Sequence, residues 1–212
     1  MEFLQNNYDP VASYYDVLSR LVFGRAEIDA QVCLLDNLST GDSILVIGGG
    51  TGWILEEMAL IQPHGLKITY VESSGKMMSK AKRRACGKNE VSYVLAPVEE
   101  FQTNERYDYI LTAFFFDNFL TEHSHFIVQQ LDVLLKRKGF WCFADFSCSK
   151  ETSPLWQRVL LRSMYISARI ICHVEAAFLP DTEPLFELAG YEQLLTRQFY
   201  YGMIKSVLYQ KK

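Results

Sequence analysis

Apolar residues alternate along this chain between two rhythms. Short unbroken runs at Ile44–Ile47, Leu66–Val71, Val91–Ala96, Tyr107–Ala113 and Phe140–Phe146 have the length and character of strands buried on both faces of a parallel sheet. Between them, apolar positions recur at helical spacing. Trp53–Ile61 is one such stretch, and a second, capped by Ser73 or Ser74, runs through Ala85. A third, Thr121–Lys136, carries Phe126, Ile127, Leu131, Leu134 and Leu135 and is ended by Gly139. Strand and helix in turn from Ser43 to Phe146 predict one mostly parallel, doubly wound α/β sheet. Two helices precede it: Asp9–Gly24, with Pro10 in the first turn and Gly24 as stop, and Arg25–Leu38. After it, Ser153-Pro154 opens a long helix to about Cys172, and a short helix spans Pro180–Ala189 up to Gly190. Tyr191–Tyr200 and Met203–Gln210 then form a hairpin around Gly202. No repeat, low-complexity tract or long linker interrupts the 212 residues, so one domain is expected.

The junction between the first run and the first helix of the sheet carries the most chemistry. Ser43 to Leu55 reads S-I-L-V-I-G-G-G-T-G-W-I-L. Gly48, Gly49, Gly50 and Gly52 let the backbone turn sharply and approach a ligand with no Cβ in the way. The amides at the N-terminus of the next helix face that loop. The spacing Gly48-x-Gly50-x-Gly52 is not the dinucleotide fingerprint, which needs glycine at 53, where Trp53 stands. It leaves room for a compact ligand lying over the loop; a glycine-rich turn without a ligand is the alternative. Glu72 closes the second run 20 residues beyond Gly52, where an ionised acid can accept both ribose hydroxyls.

Composition narrows the classes. Hydrophobic residues at 49%, charged residues at 22% and a net charge of -4 describe an ordinary globular chain and argue against phosphate-driven nucleic-acid binding. The start, Met1 to Pro10, has no basic region followed by an apolar stretch, and no apolar run approaches the ~18 residues of a membrane span, so a cytoplasmic location is expected. Five cysteines without a C-x-x-C pair read as reduced. His123 and His125, two residues apart on a helix, point to different faces, so no metal site is expected.

With its glycine spacing, the loop resembles the class I S-adenosylmethionine-dependent methyltransferases, whose first motif is acid-x-Gly-x-Gly-x-Gly. Tyr8, Asp9, Ala12, Tyr15 and Asp16 match the leader Y-D-x-h-A-x-x-Y-D-x-h (h apolar) of the ubiquinone and menaquinone C-methyltransferases and their small relatives. Leu134 to Phe146, L-L-K-R-K-G-F-W-C-F-A-D-F, resembles the family's fifth-strand region. The resemblance implies a Rossmann-like, seven-stranded sheet with a C-terminal hairpin that adds an antiparallel strand at the edge. It divides the single domain into an N-terminal helical lid (1–40), a cofactor-binding core (41–147), and cap helices with the hairpin (148–212). It further implies S-adenosylmethionine as cofactor and a small-molecule acceptor. Gly48, Gly50 and Gly52 would run under the cofactor, with Glu72 and Ser73 at its ribose. Val98 and Phe114 would flank its adenosyl and methionine parts, while Tyr14 and Tyr15 close the pocket. Two tyrosines simply packing a lid helix on the domain is the alternative for the last pair. Two positions depart from the family: Val46 stands where the opening acid belongs, and Pro97 where an aspartate reads the adenine amino group.

For catalysis the candidate is Asp117, which follows the fourth run beside Asn118 among five nearby aromatics, surroundings that raise a carboxyl toward a useful base. Arg158, Arg162, Tyr165 and Arg169 form one helical stripe, either a solvent face or a clamp for an anionic group, which suggests an aromatic or amphiphilic acid as acceptor. The basic residues from Lys76 to Lys88 read as a solvated face. Two other functions fit parts of the pattern. A degenerate methyltransferase-fold binding module would bind no cofactor, unless Asp117, Asp145 or a leader residue replaces the missing anions. An NAD-dependent oxidoreductase would explain the loop and Glu72, but not Trp53 or the lack of a catalytic Tyr/Lys or His pair.

Overall fold

Successive residues of strand β1 (Ser43–Ile47) turn to opposite faces, and each face meets its own core. Ile44 and Val46 pack in one apolar cluster and Leu45 and Ile47 in the other, which is why the run is apolar throughout. The computed structural model describes residues 6–149 and 153–212. Met1 to Gln5, where the absence of a leader pattern was read, lie outside the described residues.

Strand β1 pairs in parallel with β2 (His64–Glu72) and β4 (Tyr107–Ala113); β3 (Lys88–Leu95) flanks β2, and β5 (Leu135–Phe146) flanks β4. A terminal hairpin of β6 (Glu192–Phe199) and β7 (Ile204–Gln210) completes the seven-stranded order β3-β2-β1-β4-β5-β7-β6. The antiparallel strand is thus β7, one place in from the edge that β6 forms. One core gathers α2 (Ala26–Val32), α3 (Trp53–Ile61), α4 (Gly75–Ala81) and the long α6 (Leu155–Cys172). The other lies beneath α5 (Thr121–Asp132) and α7 (Glu183–Leu188), where Trp141 donates to Thr112 Oγ1 at 2.8 Å. Among the described residues no helix is long and apolar enough to cross a membrane.

Several boundaries fall short of the periodic pattern, each for a local reason. The first leader helix, α1, covers only Tyr15–Phe23. Residues 9–14 are turns, because the side chain of Asp9 is spent on the start of α4, accepting from Ser74 Oγ at 2.5 Å and the Lys76 amide at 3.0 Å. Gly24 does end α1, at φ 61°. Ser74, not Ser73, caps α4 by accepting from the Met77 amide. That helix stops at Ala81, so Arg84 is free to turn inward rather than join a solvated face. Gly139 is not the stop of α5; it lies within β5 after a turn at Lys138 (φ 62°), where a Cβ would come within 3.0 Å of the Asp108 carbonyl oxygen.

Candidate active site

The carboxyl ends of β1, β2 and β4 meet at the glycine loop, where α/β sheets place their ligands. Three of its glycines are demanded by neighbours. A Cβ on Gly48 would strike Phe115 at 2.5 Å, on Gly49 the Tyr70 ring at 2.3 Å, and on Gly52 the Ala81 backbone at 2.6 Å. Gly50, at φ 62°, faces open space instead. The loop is therefore wedged on three sides and presents one smooth backbone surface outward.

Glu72, buried at the tip of β2, fixes the shape of that surface. Its carboxylate accepts from the Gly50 amide at 2.8 Å and the Ser74 amide at 2.7 Å. Burial raises its pKa, while bonds from the amides of Ser74, Gly50 and Ser73 work the other way. Each oxygen keeps a lone pair for a further donor.

Three cavities open in sequence along this edge. The largest, about 560 Å³, lies beyond β2 and β3, between Glu72, Ser73, Pro97, Val98, Phe115 and Phe119. The second, about 120 Å³, sits over the loop, between Gly48, Gly50, Glu72, Ser73, Trp53 and Phe114, and is closed by Tyr8, Tyr15 and Glu27. A third, about 220 Å³, lies between the lid and α6, lined by Tyr8, Tyr15, Phe114, Asp117, Tyr165 and Met164. The first two share Gly48, Glu72 and Phe115; the last two share Tyr8, Tyr15, Glu27, Phe114 and Asn118. Together they form one trough that crosses the loop.

Phe114 stands at the crossing with φ 50°, a left-handed conformation that few side chains adopt and that concentrates at functional sites. Tyr8 and Tyr15 meet edge to face, 6.3 Å between centroids, and the Tyr8 hydroxyl donates to Asn118 Oδ1. Their aspartate neighbours hold the lid down. Asp9 takes the start of α4 as above, while Asp16 accepts from Thr51 Oγ1 of the glycine loop at 2.5 Å and pairs with Arg84 at 2.7 Å. Tyr14 does not reach the loop cavity; it is 48% exposed on the rim of the third.

The third cavity has a mostly apolar lining into which two carboxyls, Asp117 and Glu27, are set. Burial and the nearby Asp145 hold the Asp117 carboxyl well above its ordinary range. Asp145 in turn accepts the amides of Phe146 at 2.8 Å and Asp117 at 3.2 Å, and burial raises it too. Glu27, on α2, accepts from Ser19 Oγ, and burial lifts its carboxyl to about 7. Among the described residues no lysine, arginine or histidine lines this cavity. The arginine stripe is not a clamp: Arg158, Arg162 and Arg169 face solvent, whereas Tyr165 belongs to the buried stripe of Gln157 and Leu161. Behind the large cavity, which Glu99 lines, buried His123 lies 2.7 Å from Glu99 and 3.0 Å from Glu175. Burial opposes its charge, but the two carboxylates outweigh it and raise its pKa.

Sequence reasoning reached Gly48, Gly50, Glu72, Ser73, Val98, Phe114, Tyr15 and Asp117, and the structure places these along the trough. Gly52 lines none of the three cavities, because its backbone is packed against Ala81 of α4. It passed over Tyr8 and Glu27. The leader motif itself marked Tyr8, in register with Tyr15, whereas an isolated glutamate on a short helix carries no signal.

Residues 44–139 match the family described as methyltransferase domain. No curated protein matches the chain in sequence. Among solved structures, the 1,6-didemethyltoxoflavin-N1-methyltransferase of Burkholderia thailandensis, with bound 1,6-didemethyltoxoflavin and S-adenosylhomocysteine, is 17% identical at a TM-score of 0.65, over 95% of this chain and 85% of that one. The magnesium protoporphyrin IX methyltransferase of Synechocystis PCC 6803, with bound SAH, is 14% identical at 0.69, over 97% of each chain. Human N-acetylserotonin methyltransferase, in complex with SAM, is 16% identical at 0.68, over 94% of this chain but 55% of that one. At such identities the likeness is one of fold.

Proposed function

We propose that this chain, which takes the class I methyltransferase fold and whose residues 44–139 match the methyltransferase domain family, transfers the methyl group of S-adenosylmethionine to a small-molecule acceptor. The observation that carries the reading is the continuous trough over a glycine loop whose Gly50 alone faces open space. The donor, when bound, supplies an already activated sulfonium methyl, so the protein's work is alignment and the handling of any acceptor proton. Glu72 would hold the ribose, with Ser73 beside it. Val98, Phe119 and Phe115 of the large cavity would offer apolar surface to the purine, and Glu99 and Glu100 carboxylates where Pro97 has none. Phe114, Tyr8 and Tyr15 line the crossing, where donor and acceptor meet.

The third cavity takes the acceptor. At about 220 Å³ it exceeds the roughly 150 Å³ apolar cavity that accommodates benzene, so it suits one or two rings. Among the described residues its only formally charged side chains are the carboxyls of Glu27 and Asp117, which disfavours the carboxylate acceptor that the arginine stripe suggested. A phenol or an aromatic amine fits this lining. Asp117, whose raised pKa makes its carboxylate a stronger base, takes the acceptor's proton.

Calorimetric titration with S-adenosylmethionine, S-adenosylhomocysteine and NAD tests this. Micromolar binding of both adenosyl ligands and none of NAD is expected, and Glu72→Ala should abolish it. Silence from all three ligands would favour a cofactor-free binding module, and unchanged affinity in the variant would remove Glu72 from the site.

A further inference from the structure

We infer that Glu27 on α2 supplies the anion that Val46 lacks, holding the α-ammonium at the amino-acid end of the adenosyl ligand. The inference rests on the S-adenosylmethionine reading above and deepens it. Val46 and Glu27 line the same small cavity over the glycine loop, with Trp53 and Ile54 of α3. The sheet offers that cavity an isopropyl group, and the lid offers it a carboxylate.

Glu27 is also a largely enclosed acid without a cation among the described residues. Among the described residues its side chain makes one hydrogen bond, from Ser19 Oγ, and no ion pair. The nearest basic residue in sequence, Arg25, turns outward to Asp29 at 3.5 Å and Glu57 at 3.7 Å. Arg84, the cation by the glycine loop, is taken by Asp16 at 2.7 Å and Glu56 at 3.4 Å. A carboxylate enclosed in this way is costly unless a positive group joins it. Burial alone accounts for its elevated pKa, which fits a group awaiting its partner. The ligand's ammonium is a cation of the right sign and size, delivered when the trough fills. Because Glu27 sits on the lid, charge pairing would also tie the closure of α1 and α2 to the presence of the amino-acid end.

The test compares two probes by calorimetry: S-adenosylhomocysteine, and 5′-methylthioadenosine, which shares the adenosyl part but has no amino-acid end. In Glu27→Gln the affinity for S-adenosylhomocysteine should fall at least tenfold, as for a lost charged hydrogen bond, and that for 5′-methylthioadenosine should stay within about twofold. Adding Val46→Asp to that variant should recover part of the loss. If Glu27→Gln binds both probes as wild type does, the inference is wrong while the cofactor reading stands. Slowed turnover with that unchanged affinity would move Glu27 to the acceptor. A parallel loss for both probes would also overturn it, since the defect would then not lie at the amino-acid end. Failure of the wild type to bind either probe would sink the cofactor reading and the inference together.

Discussion

Replacing Glu27 with glutamine should make the ligand-free protein more stable at pH 8, even as it weakens ligand binding. Burial lifts the Glu27 carboxyl from 4.5 to about 7 in the folded state. A group whose folded value is raised contributes stability in full below its unfolded value, and that contribution is lost as pH rises through the folded one. Ionising Glu27 therefore costs the fold about 3 kcal/mol by pH 8, of which about 2.5 kcal/mol is lost between pH 5 and pH 8. Glutamine keeps the shape and an oxygen for the Ser19 hydroxyl but carries no charge. Urea unfolding of wild type and Glu27→Gln at pH 5, 6.5 and 8 isolates this group, because the difference between the two proteins removes contributions from Asp145, His123 and the rest. The variant should lead by less than about 1 kcal/mol at pH 5 and by about 2 to 3 kcal/mol at pH 8. Saturating S-adenosylhomocysteine should narrow or reverse that lead, since only the wild type pairs its charge with the ligand. A gap that does not change with pH would refute the claim that an uncompensated carboxylate sits there.

Other perturbations separate architecture from chemistry. Asp117→Asn should slow turnover severalfold or more while S-adenosylhomocysteine affinity stays near wild type, and an unaltered rate would retire Asp117 as the base. Gly50→Ala meets no neighbour, so it should cost only the roughly 1 to 2 kcal/mol of a left-handed alanine yet block the ligand surface. Gly49→Ala drives a methyl into the Tyr70 ring and should lower the melting temperature much further; equal melting of the two variants would contradict the loop geometry.

Much of this molecule was legible because burial on two faces leaves a plain mark. The apolar runs at β1 and β4 announced central strands, and the glycines with Glu72 announced the site at their ends. Legibility failed where one side chain overrode local propensity. Asp9 carries the pattern of a helix start but is a clamp on α4, so α1 begins six residues later, at Tyr15. The arginines of α6 share a stripe in sequence, but the pattern did not say whether that stripe faced inward; the buried line runs through Gln157, Leu161 and Tyr165. Glu27 was invisible for a different reason. The role inferred for it comes from what surrounds it in space, namely a valine from β1 and, among the described residues, no cation, and neither can be read from its neighbours in the chain.

The leader pattern Y-D…Y-D gains a physical meaning from these contacts. In each pair the tyrosine and the following aspartate leave the backbone in different directions and do different work. Tyr8 and Tyr15 face the trough, where both border the loop cavity and the acceptor cavity. Asp9 and Asp16 face the domain, gripping the N-terminus of α4 and the Thr51–Arg84 corner of the glycine loop. Each aspartate therefore fixes the position of the aromatic ring beside it, so that the lid is registered against the very loop that carries the ligand. A lid held by two charged latches, each to an element that frames the cofactor, needs no large apolar interface to close. That accounts for α1 keeping Val17 and Leu21 at 71% and 81% exposure while its inward tyrosine is enclosed. It also places Glu27, carried on the next helix of the same lid, within the geometry that those latches set.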